Sequence, residues 1–354
     1  MRNLKYYPNF IEHPGLTLKK TLDAYGLSQK QLAIRISMTE KHITAIIKGY
    51  SPITTETALK LETVFDISAI FWNNLQKLYD ENRTRLNFVK QINEEIKHLP
   101  KFKIYNKLAH LGYVKRTDVR EEKVFELHKF YAVSSLLNIP KTYSLQFRKS
   151  FQEPNKESLI AWLRCGEIEF RKENIGQFSR KTLINSISDI RKLTHIDFKE
   201  SIRKLKEYLF DIGVYFVFIP YFENTYINGV VRWIKDNPVI QISDRNKYTD
   251  IFWFTVFHEI CHILKHSKKN IFIDFEEKYK NVSDDEKEAD EFARNVLIPK
   301  NEYEIFLKKH NYSDESIISF SNEISIPEGI VAGRLAFEGY RDWKSISRFR
   351  EKMN

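Results

Sequence analysis

Apolar positions recur at helical spacing along the first eighty residues. Leu18 and Leu22 mark a helix over Leu16 to Tyr25 that Gly26 stops. Ser28, with Gln31 three residues later, opens a second helix whose buried face is Leu32, Ala33 and Ile36. Thr39 caps a third with Ile43, Ile46 and Ile47 on one side, and Gly49 ends it. Only two or three residues separate the second and third helices, the spacing of a helix-turn-helix. Thr54 opens a fourth helix through Leu59, Leu61 and Val64, and Ser68 a fifth through Phe71, Trp72, Leu75 and Leu78. These five predict an all-α domain over residues 1–80.

From Glu81 to about Arg180 the pattern is amphipathic and rich in lysine and glutamate, as in Leu159 to Phe170, and predicts a helical connector over 81–180. Helix continues through Leu205, Tyr208 and Leu209 until Gly213. The period then changes. Val214 to Ile219, Val230 to Ile234 and Val239 to Ile242 read as three strands, the last two a hairpin around Asp236, Asn237 and Pro238. An apolar helix follows over Asp250 to Leu264, then a helix started by Ser283 with Glu286 as its capping-box partner and ended by Pro299. This organisation assigns 181–310 to one domain and 311–354 to a C-terminal helical extension with Ile317, Phe320, Ile330, Val331 and Leu335 buried. The fold class expected is α+β, mostly helical, with a small sheet.

Composition narrows the function classes. The 354 residues contain no apolar run of the roughly 18 that a membrane span needs, and Met1 to Phe10 lacks a secretory apolar core. A cytoplasmic, non-membrane protein is expected. Two cysteines, Cys165 and Cys261, are too few for a disulfide framework. The net charge of +10 favours anionic partners, nucleic acid among them, but is spread along the whole chain.

The sharpest chemistry is His258-Glu259-Ile260-Cys261-His262, an H-E-x-x-H match. On a helix, residues i and i+4 share a face, so both imidazoles reach one ion. Glu259 then stands beside it as general base, passing a proton from water to the leaving amine, while zinc lowers the water pKa to about 7 and polarises the scissile carbonyl. Two satisfied core histidines beside a paired carboxylate are the competing interpretation. Burial of the whole helix favours the metal, because polar groups there are costly unless ligated. Lys268 occupies the place of the third metzincin histidine, which excludes that subclass. His266, four residues after His262, is within reach of the ion, but a solvated histidine or an outer partner of the site is the expected role. Among the later acids, Glu288 at the margin of the Ala289, Phe292, Ala293 and Val296 face is the expected third ligand, and Glu291 is the runner-up.

With these residues in place, the chain resembles the ImmA/IrrE family of metallopeptidases in a subgroup preceded by a HigA-like, XRE-type helix-turn-helix. The likeness rests on HPGLTLKKTL from His13, GLSQKQLA from Gly26, IIKGYSPITTETALKLE from Ile46, FWNNLQKLYD from Phe71 and AWLRCGE from Ala161. It continues in FWFTVFHEICHILKH from Phe252, EKEADEFARNVLIP from Glu286 and IPEGIVAGRL from Ile326. The family has a leucine-glycine pair where this chain has Ile260 and Cys261; a redox-sensitive Cys261 stands against a small core residue. The resemblance implies a zincin-like fold, places Glu288 as third ligand, and implies regulated repressor cleavage or a toxin-antitoxin-like operon.

Two activities are therefore expected. In the first, the chain is a zinc endopeptidase cleaving a repressor or toxin-antitoxin partner, with Val239, Ile240, Gln241 and Ile242 pairing with an extended substrate as an edge strand. In the second, it is a homodimeric regulator of a palindromic operator. Thr39, Lys41, His42 and Thr44 face the major groove, and Gln29 and Lys30 contact phosphate. An antitoxin or autorepressor whose metal is structural or sensory is the alternative.

Overall fold

The computed structural model describes residues 12–139, 156–266, 272–275 and 284–353. The chain divides into two compact units, Met1–Lys97 and His98–Asn354.

In the first unit each helix begins where a side chain takes up a free backbone N–H. The Pro14–Ala24 helix (α1) is capped by His13, and Gln29–Arg35 (α2) by Ser28 with both bonds of the capping box formed. Thr39, Thr54 and Ser68 cap Glu40–Ile47 (α3), Thr55–Phe65 (α4) and Ala69–Glu95 (α5). Leu18, Leu22, Leu32, Ile43, Ile46, Leu61 and Trp72 form the common core. Helices α1 and α3 pack so closely that a Cβ on Gly15 would lie 2.0 Å from the Ile46 carbonyl oxygen.

Helix α5 runs well past the expected end at Asp80. No glycine or proline interrupts residues 69–95, and Gln76 to Asp80 and Glu81 to Arg85 pair along it. Of its expected apolar face Trp72 is buried, whereas Phe71 and Leu78 are exposed.

The second unit contains helices Tyr105–His110 (α6), Arg120–Tyr131 (α7), Lys156–Phe170 (α8), Arg180–Lys192 (α9) and Phe198–Asp211 (α10). Strands Tyr215–Phe218 (β1), Ile227–Ile234 (β2) and Asn237–Ile242 (β3) follow. Next come helix Thr249–Lys265 (α11), strand Phe272–Phe275 (β4) and helix Asp284–Leu297 (α12). Helices Lys300–Lys308 (α13), Asp314–Glu323 (α14) and Glu328–Phe337 (α15) complete it. The sheet order is β1-β3-β2-β4, with β1 parallel to β3 and β2 antiparallel to both β3 and β4.

Four expectations change here. The sheet gains β4, a four-residue strand too short for a periodic signature. Strand β3 is not an edge: β1 and β2 occupy both its sides, so Val239, Ile240, Gln241 and Ile242 have no free backbone edge for a substrate. All four are buried, as suits a central strand.

The expected connector is also not a separate body. Its first residues continue α5, while α8 covers one face of the sheet. There the Trp162 indole donates to the Ile219 carbonyl at 3.2 Å, Gln241 donates to the Trp162 carbonyl at 2.6 Å, and Arg232 donates to Leu163. On the other face, Phe216, Val231, Ile240 and Ile242 pack against Phe252, Val256 and Ile260 of α11. Ile317, Phe320, Val331 and Leu335 join the same core, so residues 311–354 are part of this unit and no appendage.

Helix α9 holds the C-terminal ends of α11 and α12. The Arg180 guanidinium donates to the Leu264 carbonyl at 2.8 and 3.1 Å, and Arg191 donates to Leu297 at 3.0 and 3.2 Å and to Ile324 at 2.9 Å. Helix C-termini leave carbonyls that a cation satisfies well. At the other end of α11, Asp250 takes two bonds from Arg350, at 2.9 and 3.1 Å. Among the described residues no helix is long and apolar enough to cross a membrane.

Two stability outcomes follow. Gly15→Ala should strain the α1–α3 contact by about 1–3 kcal/mol, seen as roughly ten- to hundredfold faster amide exchange across both helices; unchanged exchange would show that the contact yields freely. Arg191→Leu should destabilise the second unit by about 2–3 kcal/mol in denaturant unfolding. Arg191→Lys, whose point charge cannot fork between carbonyls, should recover only part; full recovery would reduce the effect to charge alone.

Candidate metal centre

Helix α11 is apolar nearly all round, and His258, Glu259 and His262 are each at most 2% exposed. Spacing of i and i+4 puts the two imidazoles on one face, with their Nε2 atoms 3.0 Å apart. Helix α12 packs across them and supplies two carboxylates, also at i and i+4. Glu286 Oε2 lies 3.0 Å from His258 Nε2 and 3.6 Å from His262 Nε2, while Asp290 Oδ1 lies 2.9 Å from His258 Nδ1.

The three donor atoms His258 Nε2, His262 Nε2 and Glu286 Oε2 thus form a triangle with sides of 3.0, 3.0 and 3.6 Å. Ligands about 2.0–2.1 Å from a tetrahedral ion stand about 3.3 Å apart, so the triangle has the size of one face of such a tetrahedron. Two imidazoles and a carboxylate are a donor set suited to a borderline divalent ion, and one position stays open. The residues present therefore fit a metal ion.

Electrostatics agree. Burial alone would raise the Glu286 carboxyl, but its bonds to His258 and His262 outweigh this and hold it at about 2. Burial lowers the His262 pKa despite the opposing pull of Glu286, keeping the imidazole in the neutral form that can ligate. Burial also pushes the Cys261 thiol up to about 11, so it stands as a protonated core side chain, 3.9 Å from the Glu288 carbonyl.

Glu288, the expected third ligand, is elsewhere. Its carboxylate accepts from Lys265 Nζ at 2.8 Å and faces His266 Nε2 at 3.2 Å, and it is half exposed. Bonds from Lys265 and His266 lower its pKa. The reason is helical geometry: two positions from Glu286 is about 200° around the axis, so a helix that aims Glu286 at the histidines turns Glu288 aside. The buried positions of α12 are Ala289, Ala293 and Leu297, and Glu286 and Asp290 lie along that stripe. The i, i+4 pair of acids flanking Ala289 was the available signal. Reading Glu286 as the capping partner of Ser283 hid it; Ser283 lies outside the described residues. The runner-up Glu291 is not in the cluster either.

Glu259 is fully buried against β2. A Cβ at Gly229 would meet its Oε1 at 2.7 Å and Thr255 Cγ2 at 2.5 Å, so glycine there is what lets strand and helix approach.

In the first unit, α2 and α3 stand in the helix-turn-helix arrangement. The Thr44 hydroxyl donates to Gln29 Oε1 at 2.7 Å, tying the two helices, and the Thr39 hydroxyl accepts from the His42 N–H at 3.2 Å. Lys30, Thr39 and Lys41 are exposed; Gln29, His42 and Thr44 are half-buried.

Residues 211–336 match the family described as the IrrE N-terminal-like domain of the M78 peptidases, and residues 18–72 match the helix-turn-helix family. Virulence-associated protein A′ and virulence-associated protein I of Dichelobacter nodosus are each 36% identical over 69 residues. That stretch is 19% of this chain and 60% and 64% of those two proteins, so the chain spans less than two thirds of the length of the curated relatives it matches. An addiction module antidote protein of the HigA family from Coxiella burnetii is 34% identical over 24% of this chain and 94% of that one, with a TM-score of 0.22. The chain thus carries a region matching the IrrE N-terminal-like domain over residues 211–336, preceded in sequence by a match to the helix-turn-helix family over residues 18–72.

Proposed function

We propose that the protein is a DNA-binding regulator with a zinc-dependent endopeptidase unit whose substrate is a regulatory protein. The carrying observation is the His258, His262 and Glu286 triangle, with Asp290 behind His258. Zinc held there would acidify a water molecule and polarise a peptide carbonyl. Glu259, adjacent to His258 and walled from bulk water by β2, takes the proton of the attacking water and returns it to the leaving amine. Asp290 fixes His258 with its proton on Nδ1, so that Nε2 presents a lone pair.

Because β3 is paired on both sides, an extended substrate adds elsewhere. Strand β4 borders β2, the strand that carries Gly229 beneath Glu259, while β1 is two strands away. Edge pairing along β4 therefore brings a substrate backbone closest to the base. The helix-turn-helix supports recognition of a palindromic operator by a homodimer, α3 entering the major groove with Lys41 and Thr44, and Lys30 meeting phosphate. The substrate class proposed is a repressor or a toxin-antitoxin partner.

Zinc-loaded protein incubated with a peptide library should yield cleavage products by mass spectrometry. Glu259→Gln should retain zinc while losing at least about a hundredfold in rate, the scale of a general base. Zinc bound with no peptide cut, or cleavage undiminished in the variant, would overturn the peptidase reading. In gel shifts, DNA upstream of the gene should be retarded sequence-specifically, and Lys30→Ala should weaken binding to all sequences alike and reduce the salt dependence by about one ion. Retardation equal to that of random DNA would count against the operator.

A further inference from the structure

The two histidines of the triangle are backed in different ways. His258 Nδ1 meets a carboxylate, Asp290, at 2.9 Å. His262 Nδ1 meets another imidazole, His266 Nδ1, at 2.7 Å. His266 Nε2 in turn faces Glu288 Oε2 at 3.2 Å, and the other Glu288 oxygen accepts from Lys265 at 2.8 Å. Although His266 is the C-cap of α11, its side chain is only 4% exposed.

Two ring nitrogens 2.7 Å apart share one proton, one donating and the other accepting. If His262 Nδ1 donates, its Nε2 keeps a lone pair aimed at the triangle, and His266 carries its own proton on Nε2, where Glu288 accepts it. If His266 Nδ1 donates instead, the proton of neutral His262 sits on Nε2 and points at His258 Nε2 and Glu286, which blocks ligation. A neutral His266 would then offer Glu288 no proton. Only the first polarity satisfies every partner in the row Lys265, Glu288, His266, His262 while leaving a ligand atom.

We propose that His266, oriented by Glu288 and Lys265, is a positioning residue that fixes His262 as a metal ligand, doing with an imidazole what Asp290 does for His258 with a carboxylate. The proposal rests on the metal-centre reading and extends it: Glu288 is the outer anchor of a ligand and not itself a ligand. An outer partner of this kind sets metal affinity by holding the ring in one tautomer and one orientation.

The test is zinc affinity of the full chain, measured by competition with a chelating dye, together with the visible spectrum of the cobalt-substituted protein. His266→Phe fills the space without an acceptor and should weaken zinc binding by about ten- to a hundredfold. His266→Gln, whose amide oxygen can accept from His262 Nδ1, should recover most of that, and Glu288→Leu should weaken binding in the same direction as His266→Phe. At saturating cobalt the spectrum of His266→Phe should match that of the unaltered protein, because the ligand set is the same. Zinc affinity within twofold in His266→Phe would overturn the proposal. So would equal losses in the Gln and Phe variants, or a cobalt spectrum changed as by loss of a ligand. Failure of the unaltered protein to bind zinc, or binding that survives Glu286→Gln undiminished, would instead overturn the metal-centre reading and remove this proposal with it.

Discussion

Two imidazoles and a carboxylate on a helix enclosed by apolar core are the constraint around which the second unit is arranged. Each polar group taken from water without a partner costs several kilocalories per mole, so α11 needs a neighbour that answers them. Helix α12 answers with Glu286 and Asp290 on the same stripe as Ala289 and Ala293. The small alanines let the helices come close enough for short carboxylate side chains to reach the rings. Gly229 performs the matching service on the sheet side, beneath Glu259.

Close packing fixes the distance between helices but not their sliding along one another, and the arginines of α9 address that. Arg180 and Arg191 sit at opposite ends of one helix and hold the final carbonyls of α11 and α12 respectively. A single rigid rod thereby sets the relative height of two helices whose side chains must meet within tenths of an ångström. Tolerances of that order separate a ligand set from a mere cluster.

What the sequence disclosed was local. The caps at Ser28, Thr39, Thr54 and Ser68 lie within three residues of the N–H groups they satisfy, and the residue pattern alone located each of the five α-helices described in the first unit. His258 and His262 were legible for the same reason, since one turn of helix brings them together. The third member of the cluster was not, because Glu286 fits two local patterns equally well, a capping box with Ser283 and an i, i+4 acid pair with Asp290. Strand order was equally hidden: β3 reads the same whether central or at an edge, and the pairing with β1 crosses from Tyr215 to Val239. The last fifteen residues of α5 were not legible, because the apolar pattern of the five-helix domain is complete by Asp80 and only the absence of a breaker before Glu95 marks the rest.

The clasp between Asp250 and Arg350 has a consequence for the order in which the protein is made. Helix α11, with its two histidines, leaves the ribosome about a hundred residues ahead of the arginine that secures it, and ahead of Ile317, Phe320 and Leu335, which cover its apolar surface. The first unit is by then already complete. A chain cut short upstream of these segments, by a stop codon or by a protease, keeps its helix-turn-helix and loses its peptidase core. One gene can in this way yield the helix-turn-helix unit without a completed second unit.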